Sequence, residues 1–133
     1  MRIAQDCLTI ETTSREIKEI TGEVASWVKR QGIGRGLLTI FIPHTSASLL
    51  IQENYSPDVL RDLAAFLTRL APEDPALYRH NDEGPDDMPA HLKSALTQVQ
   101  LTIPVTDGEI QLGTGRGFSC SNTAPPPTAA TSS

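Results

Sequence analysis

The feature that most limits what this chain can become is the run from Leu37 to Asn54. Leu37-Leu38-Thr39-Ile40-Phe41-Ile42 is a series of aliphatic, aromatic and β-branched residues, which reads as a buried strand. Pro43 interrupts it, and His44-Thr45-Ser46-Ala47-Ser48-Leu49-Leu50-Ile51-Gln52-Glu53-Asn54 re-enters a sheet. Alternation sorts these side chains. Thr45, Ala47, Leu49 and Ile51 share a core face. His44, Ser46, Ser48 and Gln52 share the other, broken only by Leu50. Two readings stand side by side: a wall lining a site, or the solvated face of an antiparallel sheet.

The flanking segments supply the other elements. Ile3 to Thr12 reads as a strand. Ser14 is placed to cap a helix, and Ile17, Ile20, Val24, Trp27 and Val28 fall on one helical stripe. Lys29 and Arg30 suit its last turn. Gly32, Gly34 and Gly36 precede a strand rather than open a helix, so they make a turn and not a phosphate loop. Ser56-Pro57-Asp58 starts a helix. Its apolar face is Val59, Leu60, Leu63, Phe66, Leu67 and Leu70, and Pro72 stops it. Residues 75–89 are irregular and polar, which in a compact domain marks a functional or loose loop. A short helix is expected over Ala90 to Thr97. Leu101 to Val105 reads as a strand with Pro104 at an edge or bulge. Thr106-Asp107-Gly108 turns it back into Glu109 to Leu112.

The 133 residues suit one domain. With 16 acidic and 11 basic residues the formal charge is −5, which argues against nucleic-acid binding. A phosphorylated ligand would need a metal ion or a local basic cluster. Cys7 and Cys120 are too few for a disulfide framework. There is no apolar leader or membrane-spanning run, so a cytoplasmic protein is expected, without membrane partners.

The residues that could carry chemistry are the three histidines, His44, His80 and His91, with Asp82, Glu83, Asp86 and Asp87 between the last two. Imidazoles with carboxylates suit zinc or another divalent metal, magnesium and manganese included. The competing reading is a solvated charge run with surface histidines. No Gly-x-Ser-x-Gly elbow supports Ser46 or Ser48 as a nucleophile, and nothing marks a base for Cys7.

Three blocks carry a resemblance. His44-Thr45-Ser46-Ala47-Ser48-Leu49 with Glu53-Asn54 and Pro57-Asp58-Val59 is the first. His80, then Gly84-Pro85-Asp86-Asp87-Met88-Pro89-Ala90-His91-Leu92-Lys93, is the second. Ile103-Pro104-Val105 through Gln111-Leu112-Gly113-Thr114 is the third. In this order they resemble the YjbQ family, also called the secondary thiamine-phosphate synthase family. Leu50 and Gln52 depart from it, standing where relatives often carry a hydroxyl or an asparagine.

The resemblance implies a single α+β domain, a mixed or antiparallel sheet with helices packed on it, spanning 1–114 and assembling as a homotrimer. It implies weak thiamine-phosphate synthesis, joining a pyrimidine methyl diphosphate to a thiazole phosphate with loss of pyrophosphate. The alternative is a non-catalytic trimeric binding module for a small phosphorylated metabolite. His44, His80 and His91 are the candidate catalytic groups and metal ligands. Thr45, Ser46, Ser48, Asn54, Asp86, Lys93 and Thr114 are candidates for ligand binding.

The composition changes after Thr114. Residues 115–133 are nearly all Gly, Ser, Thr, Ala and Pro, which predicts a disordered tail. Relatives continue Gly-Thr with Trp-Gln-Gly, an apolar strand, then Glu-His-Arg. Reading the third base of each codon with the first two of the next, from Thr114, permits Trp, Gln, Gly, Leu, Phe, Leu, Phe, Glu, His, Arg. The tail therefore reads as a one-nucleotide frameshift that costs the fold its C-terminal strand; the alternative is a genuinely divergent, disordered tail.

Overall fold

The computed structural model describes residues 1–12, 16–122 and 129–132. Along the chain come β1 (Leu8–Glu11), β2 (Glu16–Glu19), α1 (Thr21–Gln31), β3 (Arg35–Phe41), β4 (Ala47–Glu53) and α2 (Pro57–Leu70). A 3-10 turn at Pro75–Leu77 follows, then α3 (Asp87–Leu96), β5 (Gln100–Thr106), β6 (Glu109–Ile110), β7 (Arg116–Asn122) and β8 (Ala129–Ser132). The strands form sheets in the orders β2-β7-β4, β3-β5-β6 and β1-β8, and every described strand pair is antiparallel. A bridge between Leu49 and Gln98 joins β4 to the approach of β5. The protein is an α+β domain with helices packed on antiparallel sheets, as expected.

The main core lies between α1 and the strands. Val24 and Val28 pack with Leu38, Ile40, Leu49, Ile103, Val105 and Phe118. Phe118 is fully buried, which contributes roughly 1.5–3 kcal/mol. A smaller cluster, Ile17, Leu50 and Leu67 with Leu60 and Leu63 beside them, lies under α2.

The helix ends follow their sequence signals. Gly32 closes α1 in the left-handed conformation, φ 66°. The Ser56 hydroxyl accepts from the Asp58 amide at 3.3 Å, with Pro57 in the first turn of α2. Asp107 and Gly108 both have positive φ, 54° and 75°, as a two-residue hairpin turn requires. Pro104 is paired with Leu37 of β3, and its carbonyl accepts from Gln111 where β6 ends. Its missing amide hydrogen therefore falls beside the short neighbour.

Several expectations are corrected. Residues 115–133 are not a wholly disordered tail, and the C-terminal strand is present. β7 fills the centre of its sheet, pairing Glu16 to Glu19 on one side and Ala47 to Glu53 on the other. Strand hydrogen bonds are made by backbone groups, so a run of small residues can occupy the place. Ile17 belongs to β2 rather than to a helix, because the Glu16–Glu19 backbone pairs with β7 and α1 starts only at Thr21. Ser14 lies outside the described residues. β1 begins at Leu8. β3 is half-buried: Leu38 and Ile40 face the core, whereas Leu37 and Phe41 are exposed. Phe66 and Leu70 of α2 are exposed too. No helix among the described residues is long and apolar enough to cross a membrane.

The small residues of β7 leave a mark. Ser119 and Ser121 are 2% and 5% exposed, and their hydroxyls have no hydrogen-bond partner among the described residues. They alternate with Phe118 and Cys120, so they face the α2 side, opposite Leu50 and Ser48. An unsatisfied buried hydroxyl costs about 1–3 kcal/mol. Ser119→Ala and Ser121→Ala should each therefore stabilise the fold, by about 1 kcal/mol. Urea midpoints at constant m-value measure this, and a loss of stability in both variants would contradict it.

Candidate functional site

Residues 72–96 build the site from a clasped loop and a helix. The Tyr78 hydroxyl donates to the Pro72 carbonyl at 2.7 Å. The Asn81 amide donates to the carbonyls of Pro75 and Tyr78, at 3.2 and 2.7 Å. These bonds hold the backbone on both sides of His80. Gly84 then turns the chain with φ 106°, a conformation glycine adopts without strain. α3 opens at Asp87, and Pro89 sits in its first turn, where its missing N–H has no helical partner to lose. Asp87 and His91 are four residues apart on that helix, hence on one face.

The result is a cluster of four groups. His80, Glu83, Asp87 and His91 bring one ligand atom each within 4.8 Å of one another. The two His Nε2 atoms lie 2.8 and 3.1 Å from one Asp87 carboxylate oxygen, and Glu83 is 3.6 Å from His80. The imidazole rings are 5.7 Å apart. The side chains of His80, His91 and Asp87 are 42%, 34% and 16% exposed, so the cluster opens to solvent from a partly shielded carboxylate. The hydrogen bond to Asp87 raises the His80 pKa; burial opposes it, and the charges of Asp87 and Glu83 add to the rise. Burial pushes the Asp87 pKa up, but its hydrogen bonds with His80 and Glu83 and the nearby imidazoles outweigh that and bring it below its ordinary value.

Of the sequence-based candidates, His80 and His91 are brought together, and His44 is not part of the cluster. His44 is exposed, in the segment before β4. Thr45 is exposed and Ser46 half-buried, while Ser48 is buried in β4 opposite Ser121. The non-core face of β4 is thus covered by α2 rather than open as a polar wall. The Asn54 amide donates to Glu19 at 3.1 Å. Asp86 is the N-cap residue of α3, and Lys93 is buried on the same helix. Thr114 is exposed and lines a cleft with Thr21, Lys29 and Arg116. The groups that the histidine-based assignment left out are Glu83 and Asp87. The signal for Asp87 was its four-residue spacing to His91, hidden by starting the helix after Pro89. Burial raises the Cys120 thiol to about 11, which removes it as a nucleophile.

Comparison with known proteins agrees with this fold. Residues 6–122 match the family described as UPF0047 protein YjbQ-like. A UPF0047 protein of Synechocystis sp. is 48% identical over 113 residues, covering 85% of this chain and 77% of the relative. UPF0047 protein YjbQ of Escherichia coli O157:H7 is 40% identical over 115 residues, 86% and 83% of the two chains. The crystal structure of a YjbQ/UPF0047-family protein from Clostridium acetobutylicum superposes with a TM-score of 0.86, at 27% identity over 97% of each chain.

Asp87 is the anchor both imidazoles share. Asp87→Asn should return the His80 pKa toward its ordinary value, because the charge and acceptor that raise it are gone. Imidazole titration by NMR reads this directly. In the parent, the contribution of the His80–Asp87 pair should fade on both sides. It is lost as pH rises through the raised His80 pKa, and as pH falls through the lowered Asp87 pKa. An unchanged His80 titration in the Asn variant would remove Asp87 as the cause.

Proposed function

The chain belongs to the YjbQ-like UPF0047 family, and from that premise we propose a metal-dependent transferase acting on small phosphorylated molecules. The reaction it resembles is thiamine-phosphate synthesis. There the C–O bond between a pyrimidine methylene and its diphosphate breaks, and a C–N bond to a thiazole phosphate forms. Pyrophosphate leaves with the electron pair.

The observation that carries this reading is the four-donor cluster His80, Glu83, Asp87 and His91. Its chemistry fits a divalent cation. Two imidazoles and two carboxylates suit zinc, and manganese after it, better than magnesium, which favours an all-oxygen set. The short contacts of His80 and His91 with Asp87 support this reading, since they hold three of the four groups close together. A divalent ion held there supplies positive charge for a departing pyrophosphate. Asn81 and Tyr78 hold His80 in place, and α3 fixes Asp87 and His91. Lys93 is the cation of the same helix. His44, outside the cluster, is free to serve as an acid or base toward a bound ligand rather than as a metal ligand.

One observation favours the alternative, a trimeric binding module for a phosphorylated metabolite. The cluster lies open to solvent, whereas transfer from a diphosphate needs water kept out. Either reading is of a homotrimer, as the resemblance implies.

Zinc titration by calorimetry separates the readings. The parent should bind one ion per chain, and zinc at a hundred times its Kd should stabilise the fold by about 2.7 kcal/mol. Asp87→Ala and His91→Ala should each weaken zinc by more than the about 10–100-fold cost of a lost outer-shell partner. His44→Ala should bind zinc as the parent does. Absence of zinc, manganese or magnesium binding ends the metal reading. Binding without release of pyrophosphate from the pyrimidine and thiazole substrates leaves the binding module.

A further inference from the structure

A second cleft lies elsewhere on the molecule, between the segment preceding β1, the C-terminal half of α1 and β3. Its volume is about 730 Å³, within the roughly 300–1,000 Å³ of small-molecule sites. Trp27, Ile33, Leu37 and Phe41 supply much of its apolar wall. Two arginines, Arg2 and Arg35, also line it, and no aspartate or glutamate does. That distribution is notable in a chain with 16 acids and 11 basic residues.

The two guanidinium groups have capacity to spare. Arg35 makes no ion pair or hydrogen bond among the described residues, and Arg2 donates only to the Gln31 carbonyl. Asp6 touches the lining at Trp27, and its carboxylate accepts from the Trp27 indole N–H at 3.3 Å and the Cys7 amide at 2.8 Å. An apolar wall offers burial to a hydrocarbon or aryl body. An unpaired guanidinium offers a planar pair of donors to a carboxylate. Neither feature alone selects a ligand, but together they select an amphipathic anion.

We propose that this cleft binds a small amphipathic carboxylate, its apolar body on Trp27, Ile33 and Phe41 and its carboxylate on Arg35 and Arg2. The site is independent of the metal cluster and of the reaction assigned there. Neutral apolar molecules of the same size lack the group that the arginines recognise, and short polar anions lack the body.

Trp27 is the only tryptophan of the chain, so its fluorescence reports on the cleft directly. Decanoate below its micellar concentration should shift that emission saturably, and 1-decanol should bind more weakly. The double variant Arg2→Gln, Arg35→Gln should weaken decanoate by at least about tenfold and decanol by less than about twofold. Lys29→Gln, outside the cleft, should change neither. Equal losses for acid and alcohol in the double variant would overturn the proposal, as would the absence of a saturable shift in the parent. A third adverse result is sedimentation showing that a second copy covers Leu37 and Phe41 and excludes decanoate.

Discussion

The fold depends on one backbone being held between two others. β7 has β2 on one side and β4 on the other, and a small polar clasp sets its entry. The Thr21 hydroxyl accepts from the Phe118 amide at 2.9 Å and donates to Glu19 at 2.8 Å. Asn54 donates to the same Glu19 carboxylate, and its own amide bonds the Gly115 carbonyl at 2.8 Å. Gly117 has no side chain because a Cβ there would run into Glu19 and Thr21. Residues of β2, α1 and β7 and the residue that follows β4 thus meet at a single point. Once β4 is fixed, Leu49 fixes Gln98, and the Ser94 hydroxyl reaches the Ala47 carbonyl. Those contacts seat α3, and α3 carries half of the metal-binding candidate.

That cluster is local in construction but global in support. Four donors within a short stretch of loop and helix need few long-range contacts to converge. What they need is a rigid base, since α3 is short and exposes His91 at its rim. The base comes from Pro89, Ala90 and Lys93, the buried residues of the helix. A carboxylate shared by two imidazoles also keeps three groups close to one another.

The sequence was most legible where a local signal decided the outcome. Ser56-Pro57-Asp58 marked the start of α2, Asp107-Gly108 marked the hairpin, and Gly32 closed α1. It was least legible where a distant partner decided. Ile17 falls on a helical stripe with Ile20 and Val24, and only the pairing of Glu16 to Glu19 with β7 makes its segment a strand. β7 offers only a short apolar alternation, Phe118 and Cys120, in a run otherwise made of small and polar residues, and Ser119 and Ser121 stand on the face under α2. For the site, His80 and His91 could be seen because they share one block. Asp87 was obscured by the assumption that Pro89 precedes the helix, although a proline in the first turn costs little. His44 had only its place in a familiar block to recommend it, and the topology leaves it outside the cluster.

The position of β7 has a temporal consequence. Glu16 pairs with Asn122, so the strand at the centre of its sheet is made long after its two neighbours. During synthesis β2 and β4 must wait, each with an unpaired row of amides and carbonyls facing the gap. Such long-range pairings slow folding, and waiting edges invite strands from other nascent chains. The growing protein is thus most vulnerable in the interval before residues 116–122 emerge. Its yield in a cell should depend on translation rate and chaperone supply as much as on the stability of the finished domain.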